Sequence, residues 1–164
     1  MSEAVSSSVR IILQHWAYNM TLLHNFGVSY PGFGYTEEEK QQLGTLAKGV
    51  SMSGHLGFGS LNALYFFALA GFVMGYGAIP LAFLLDPTHQ SAGVFFGCMG
   101  LGIAVGIGLG VPTAMGLTAL TLRLIGKEPQ PTEVSDQVIS ALYRKMHRQL
   151  MRAAIVAGVL IGPW

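Results

Sequence analysis

Between Gly49 and Leu122 the chain carries a single charged residue, Asp86. The uncharged runs on either side of it, Gly49–Leu85 and Pro87–Leu122, both exceed the ~20 apolar residues that cross a bilayer core. A surface helix of a soluble domain keeps a charged or polar face toward water, and neither run has the charges to build one. The pattern predicts two transmembrane helices joined by the short turn Asp86-Pro87-Thr88-His89-Gln90. The chain is therefore read as an all-α integral membrane protein in three segments. Residues 1–56 form an N-terminal interfacial or cytoplasmic segment with amphipathic helices, 57–125 the transmembrane hairpin, and 126–164 a linker, an amphipathic helix and an apolar C-terminal tail that is a candidate third membrane segment.

The distribution of charge sets an orientation. Arg10, Lys40 and Lys48 precede the first run, Arg123 and Lys127 follow the second, and the turn has neither Lys nor Arg. By the positive-inside rule the turn faces outward and the basic flanks are cytoplasmic, as expected of a bacterial inner-membrane protein. A net charge of +1 supplies no broad basic face, so nucleic acid is not an expected partner. The one cysteine, Cys98, forms no intrachain disulfide and leaves the redox compartment unread. Glu3 and the polar interruptions Gln14, His15 and Asn19 do not fit a cleavable secretory signal.

The stretch Gly93–Gly116 holds eight glycines. Each costs a helix interior roughly 0.8–1 kcal/mol relative to alanine and adds almost nothing to lipid partition, so close helix packing is the reason for them. Gly102, Gly106 and Gly110 fall four apart and continue to Ala114 and Thr118; Gly100, Ala104, Gly108, Pro112 and Gly116 form a parallel row. Two smooth ridges make a groove for another backbone, the small-xxx-small logic of membrane helix association. On the first helix, Gly59, Ala63, Phe67, Gly71 and Gly75 share one row, and Gly71 to Gly75 is the expected match for that groove. Gly77 and Pro80 should loosen the outer end of this helix, and Pro112 should bend the second, its ring opposing the carbonyl of Gly108.

The flanks read as amphipathic. Val9, Ile12, Trp16, Met20 and Leu23 recur with a helical period, and Arg10, Gln14 and Asn19 on the other face suit a helix lying in the interface. Breaks at Gly27 and Pro31-Gly32 precede a capping box, Thr36 with Glu39, opening a short helix. Thr132 is the expected cap of a last helix with an apolar line, Val134, Val138, Leu142, Met146, Leu150 and Ala154. Its basic residues Arg144, Lys145, Arg148 and Arg152 are the expected contacts to anionic phospholipid headgroups. Trp164 would anchor the tail.

Gly102-Gly106-Gly108-Gly110 resembles, over a short stretch, the inner helix of rotary-ATPase proteolipids, which implies ring-like helix packing. Ion translocation by such a ring needs a mid-membrane carboxylate, which neither helix here supplies. The hairpin is also similar to conjugative pilins, although their turns carry basic residues where this one has Asp86. Of the five histidines, none is mid-membrane and no pair has the four-residue spacing that puts two ligands on one helix face. No catalytic, metal or cofactor residues are expected, and the chain is not expected to be an enzyme. The reading is a non-enzymatic structural subunit of a multi-chain membrane assembly of transport or secretion type. Its partners would be copies of itself, other membrane subunits and anionic lipid. The alternatives are a homo-oligomeric pore or pilin-like filament subunit, and an accessory subunit of a respiratory or quinone-linked enzyme with His55 or His147 near the cofactor.

Overall fold

The computed structural model of the chain describes residues 5–25 and 34–161. Among them every regular element is helical: α1 (Ser7–Asn25), α2 (Glu37–Ala47), α3 (Met52–Val73), a π turn (Met74–Ala78), α4 (Ile79–Leu85), α5 (Ala92–Leu124) and α6 (Asp136–Ile161). Two helices are long and apolar enough to cross a membrane, the continuous rod Met52–Leu85 and α5. The breaks expected at Gly27 and Pro31-Gly32, and the anchor Trp164, lie outside the described residues.

Local chemistry accounts for the boundaries. Thr36 accepts the Glu39 N–H while the Glu39 carboxylate accepts the Thr36 N–H, so the expected capping box opens α2. Pro80 has no N–H to give the fourth carbonyl back, and just before it Ile79 donates to Met74, five residues back. The loosened outer end thus takes the form of a π turn. The α5 helix runs unbroken through Pro112 to Leu124, and the chain turns off it at Gly126, whose φ of +77° favours glycine. There the Lys127 N–H reaches Leu122 O and the Gly126 N–H reaches Arg123 O, a Schellman closure. Thr132 does not cap α6: its hydroxyl accepts the Val134 N–H, and the first α6 bond runs from Ile139 N–H to Ser135 O. The basic helix and the apolar tail as far as Ile161 are one continuous element of 26 residues.

The chain divides into two compact units, which cut across the three segments read from the sequence. One comprises Met1–Leu61 with Gly116–His147, the other Asn62–Met115 with Arg148–Trp164. In the first, α1 packs on α2, and α6 joins both through Arg10 to Asp136 and Lys145 to Glu39. Leu13, Leu43, Leu46, Thr118, Ile139, Leu142 and Met146 are among its fully buried side chains.

The packing of α1 differs from the apolar line expected of it. Its buried face is Ile11, Ile12, Leu13, Gln14, Ala17 and Met20, rotated from the expected apolar line, and Leu23 is exposed. Arg10 is ion-paired. Gln14, only 3 % exposed, donates to Gln130 O at 2.8 Å and accepts the Gln130 N–H at 3.1 Å, while Trp16 spends its indole N–H on the Tyr35 hydroxyl.

The second unit is the hairpin body. Its turn is organised by the charge that interrupts the apolar runs. Asp86 accepts the Ser91 N–H at 2.6 Å and the Thr88 hydroxyl at 2.8 Å. The Ser91 bond, followed by Thr88, holds this carboxyl below its usual range. His89 adopts φ +54° to close the turn, with its N–H on Asp86 O.

Candidate functional site

Two features stand out as candidates: the hairpin's glycine surfaces and a histidine pair. The row Gly102, Gly106, Gly110, Ala114 and Thr118 is buried throughout, so one of the two predicted ridges is used within the chain. A Cβ on Gly102 would lie 2.6 Å from Ala78 Cβ and 2.8 Å from Met74 Sδ. At Gly106 it would meet Ala70 at 3.7 Å, and at Gly110 the Phe66 ring at 3.3 Å. The ridge that fills the groove is therefore Phe66, Ala70, Met74 and Ala78, spaced by four along the antiparallel rod. It is not Gly71 and Gly75. Those two are exposed, and beyond the adjoining helix backbone no heavy atom of the described residues lies within 4 Å of a Cβ built on them, a correction to the expected match. The reason is that a flat glycine row accepts a ridge with some relief better than a second flat row.

The other predicted row is only partly covered. Gly100 is buried, Ala104, Gly108 and Pro112 are half-buried and Gly116 is exposed; a Cβ at Gly108 or Gly116 would meet nothing within 4 Å. On the rod, Gly59, Ala63, Phe67, Gly71 and Gly75 are all exposed. Of the basic residues on α6, Arg144, Arg148 and Arg152 are exposed. Lys145, expected with them, is turned onto Glu39 and lies over the Tyr35 ring.

The histidine pair was not legible as such. His15 on α1 and His55 on α3 approach to 3.2 Å between their Nδ1 atoms. Their ring centroids are 5.5 Å apart, so the rings meet edge to edge with the two nitrogens between them. One nitrogen donates and the other accepts, which requires the accepting imidazole to be neutral. Phe58 stacks on His15 at 4.2 Å, Tyr18 tilts over His55 at 4.5 Å, and the Tyr18 hydroxyl points to Met52 Sδ at 3.3 Å. Beside His15 opens a cleft of ≈ 450 Å³ lined by Ile11, Gln14, Ser51, Phe58, Lys127 and Gln130 among others. Gly49 is required at its rim, because a Cβ there would lie 2.7 Å from Gln130 Cβ. Among the described residues no three His, Cys, Asp or Glu side chains converge.

Burial, and after it the charge His55 would carry, pushes His15 down from 6.5 to about 4. The folded protein thus refuses a proton that the unfolded chain accepts. The stability held by neutral His15 is complete above pH 6.5 and is lost progressively as the pH falls toward 4. A His15→Asn variant is expected to be less stable than the parent at pH 7.5 but to lose less between pH 7 and 4.5. Thermal midpoints of both proteins across that window check this; parallel pH curves would mean that His15 titrates normally.

No protein-family model, curated protein or solved structure matches the chain. The geometry of the chain itself carries the functional argument.

Proposed function

We propose that the chain is a non-enzymatic structural subunit of a multi-chain membrane assembly, of transport or secretion type, built through close glycine-mediated helix packing. The observation that carries this reading is the exposure of its two long apolar helices. In their most apolar stretches only 11 % and 28 % of the residues are buried, whereas the core helix of a soluble protein is buried along most of its length. Phe67, Phe72, Tyr76, Leu84, Phe96 and Leu109 all stand exposed, a surface that water does not tolerate at this extent. Lipid covers the bulky part. The smooth row Gly71 to Gly75, unused within the hairpin, receives a helix of another subunit or of a second copy, where the absence of side chains lets backbones approach.

In this reading the hairpin crosses a bacterial inner membrane with its Asp86 turn outside and its basic flanks in the cytoplasm. Arg144, Arg148 and Arg152 contact anionic headgroups, each contributing about 1 kcal/mol near a charged surface. The reading is tested by the native mass of the assembly extracted into nanodiscs, with co-purifying chains identified, for the parent and for a Gly71→Leu, Gly75→Leu double variant. Beyond the adjoining helix backbone, a Cβ at either position meets no heavy atom of the described residues within 4 Å, so the hairpin should remain folded while the assembly dissociates to smaller species. An unchanged mass in the variant would remove the glycine row as an interface. A parent that is monomeric and alone would sink the assembly reading.

A further inference from the structure

We propose that His15, His55 and Met52 form a copper(I)-binding site, the two imidazole Nδ1 atoms and the thioether sulfur supplying a three-coordinate donor set. The inference stands apart from the assembly role and rests on the geometry of the first unit alone. Two imidazole nitrogens bound at ~2.0–2.1 Å to one three-coordinate metal, at an angle near 120°, lie about 3.5 Å apart. The two Nδ1 atoms are 3.2 Å apart with the rings edge to edge, so a tilt of each ring that turns its lone pair off the line between the nitrogens, with a small separation, brings both onto one ion.

The third donor follows from helical spacing. Met52 and His55 are three apart on α3, His15 and Tyr18 three apart on α1, so each pair shares a helix face. The faces meet, since His15 touches His55, Tyr18 lies over His55, and the Tyr18 hydroxyl contacts Met52 Sδ. Met52 thus shares a face of α3 with His55, its thioether against the hydroxyl of the Tyr18 ring that lies over His55. Met52 is 56 % exposed, which gives an ion a route in and lets the side chain swing without repacking a core.

The chemistry of the donors selects the metal. Imidazole accommodates several transition ions, but a thioether favours copper(I) over zinc, and hard ions need carboxylate oxygens. Since no third His, Cys, Asp or Glu joins the pair among the described residues, all the donors are neutral, which suits a soft monovalent cation better than a divalent one. Loading breaks the Nδ1 to Nδ1 hydrogen bond. The ring that donated through Nδ1 moves its proton to Nε2, so both rings stay neutral and no net proton leaves the site.

The test titrates the full-length protein in detergent with copper(I) alone, under anaerobic reducing conditions, against a chromogenic copper(I) chelator. One equivalent per chain is expected. Losing even an outer-shell partner weakens metal binding ~10–100-fold; His15→Gln and His55→Gln should lie beyond that range, and Met52→Leu should lose at least about tenfold. His147→Gln, on an exposed residue of α6, should bind as the parent does. X-ray absorption of the loaded parent should show a sulfur scatterer at ~2.3 Å beside the nitrogens. If the histidine variants fold poorly by circular dichroism, Met52→Leu and the sulfur shell decide. A parent that fails to compete with the chelator, a Met52→Leu protein that binds as tightly as the parent, or an absorption spectrum without sulfur overturns the proposal.

Discussion

Alanine at position 102 is expected to destabilise the hairpin, although alanine is the better helix former by about 1 kcal/mol. The added methyl would lie 2.6 Å from Ala78 Cβ, an atom fixed to its backbone. The Met74 sulfur at 2.8 Å can rotate away, but Ala78 cannot. The rod and α5 must therefore separate along their length, and overpacking of this kind typically costs about 1–3 kcal/mol. The same substitution at Gly108, where a Cβ meets nothing within 4 Å, should leave only the propensity gain and be neutral or stabilising. Unfolding midpoints of the two variants in mixed micelles should separate by the equivalent of ~2 kcal/mol or more. Equal midpoints would show that the close approach at Gly102 can relax without cost.

The second large effect is expected at Leu13→Ala. Leu13 is wholly buried in the bundle of α1, α2 and α6, and truncating a leucine in such a place costs about 2–5 kcal/mol, the spread reflecting how far the cavity closes. Were α1 lying on a lipid surface, the same change would alter partition and leave cooperative unfolding almost unchanged. Leu23→Ala, at a side chain 40 % exposed on the same helix, should remain within ~0.5 kcal/mol. Equal, small effects at both positions would return α1 to the interface. The neighbouring Gln14 makes the packed arrangement specific, because its amide satisfies both backbone groups of Gln130 and so fixes the linker after α5.

Much of the architecture was legible along the chain because it follows from local rules. The long charge-free runs about Asp86 gave two helices of spanning length. Thr36 with Glu39 gave the start of α2, and Pro80 gave the weak point that becomes the π turn. The spacing of Gly102, Gly106 and Gly110 announced a packing groove. In each case the residues responsible are close in sequence, so hydropathy, capping and backbone sterics act without reference to the rest of the fold.

The pairings were a different matter. Nothing in the spacing of Phe66, Ala70, Met74 and Ala78 marks them as the ridge that fills the groove in place of Gly71 and Gly75, because helical rows one residue apart are equally regular and only the rotation of one helix against the other chooses between them. The outward face assigned to Arg10 and Gln14 looked solvated until Asp136 and Gln130, more than a hundred positions away, supplied their partners. Lys145 sat in a basic line suited to headgroups until Glu39 came beside it. His15 and His55 are separated by forty residues and became a pair only when α1 crossed α3. Sequence thus settled the elements, since helix formation and burial preference are properties of neighbouring residues. The partners were left to tertiary structure, because a polar side chain carries no mark of which distant group will satisfy it.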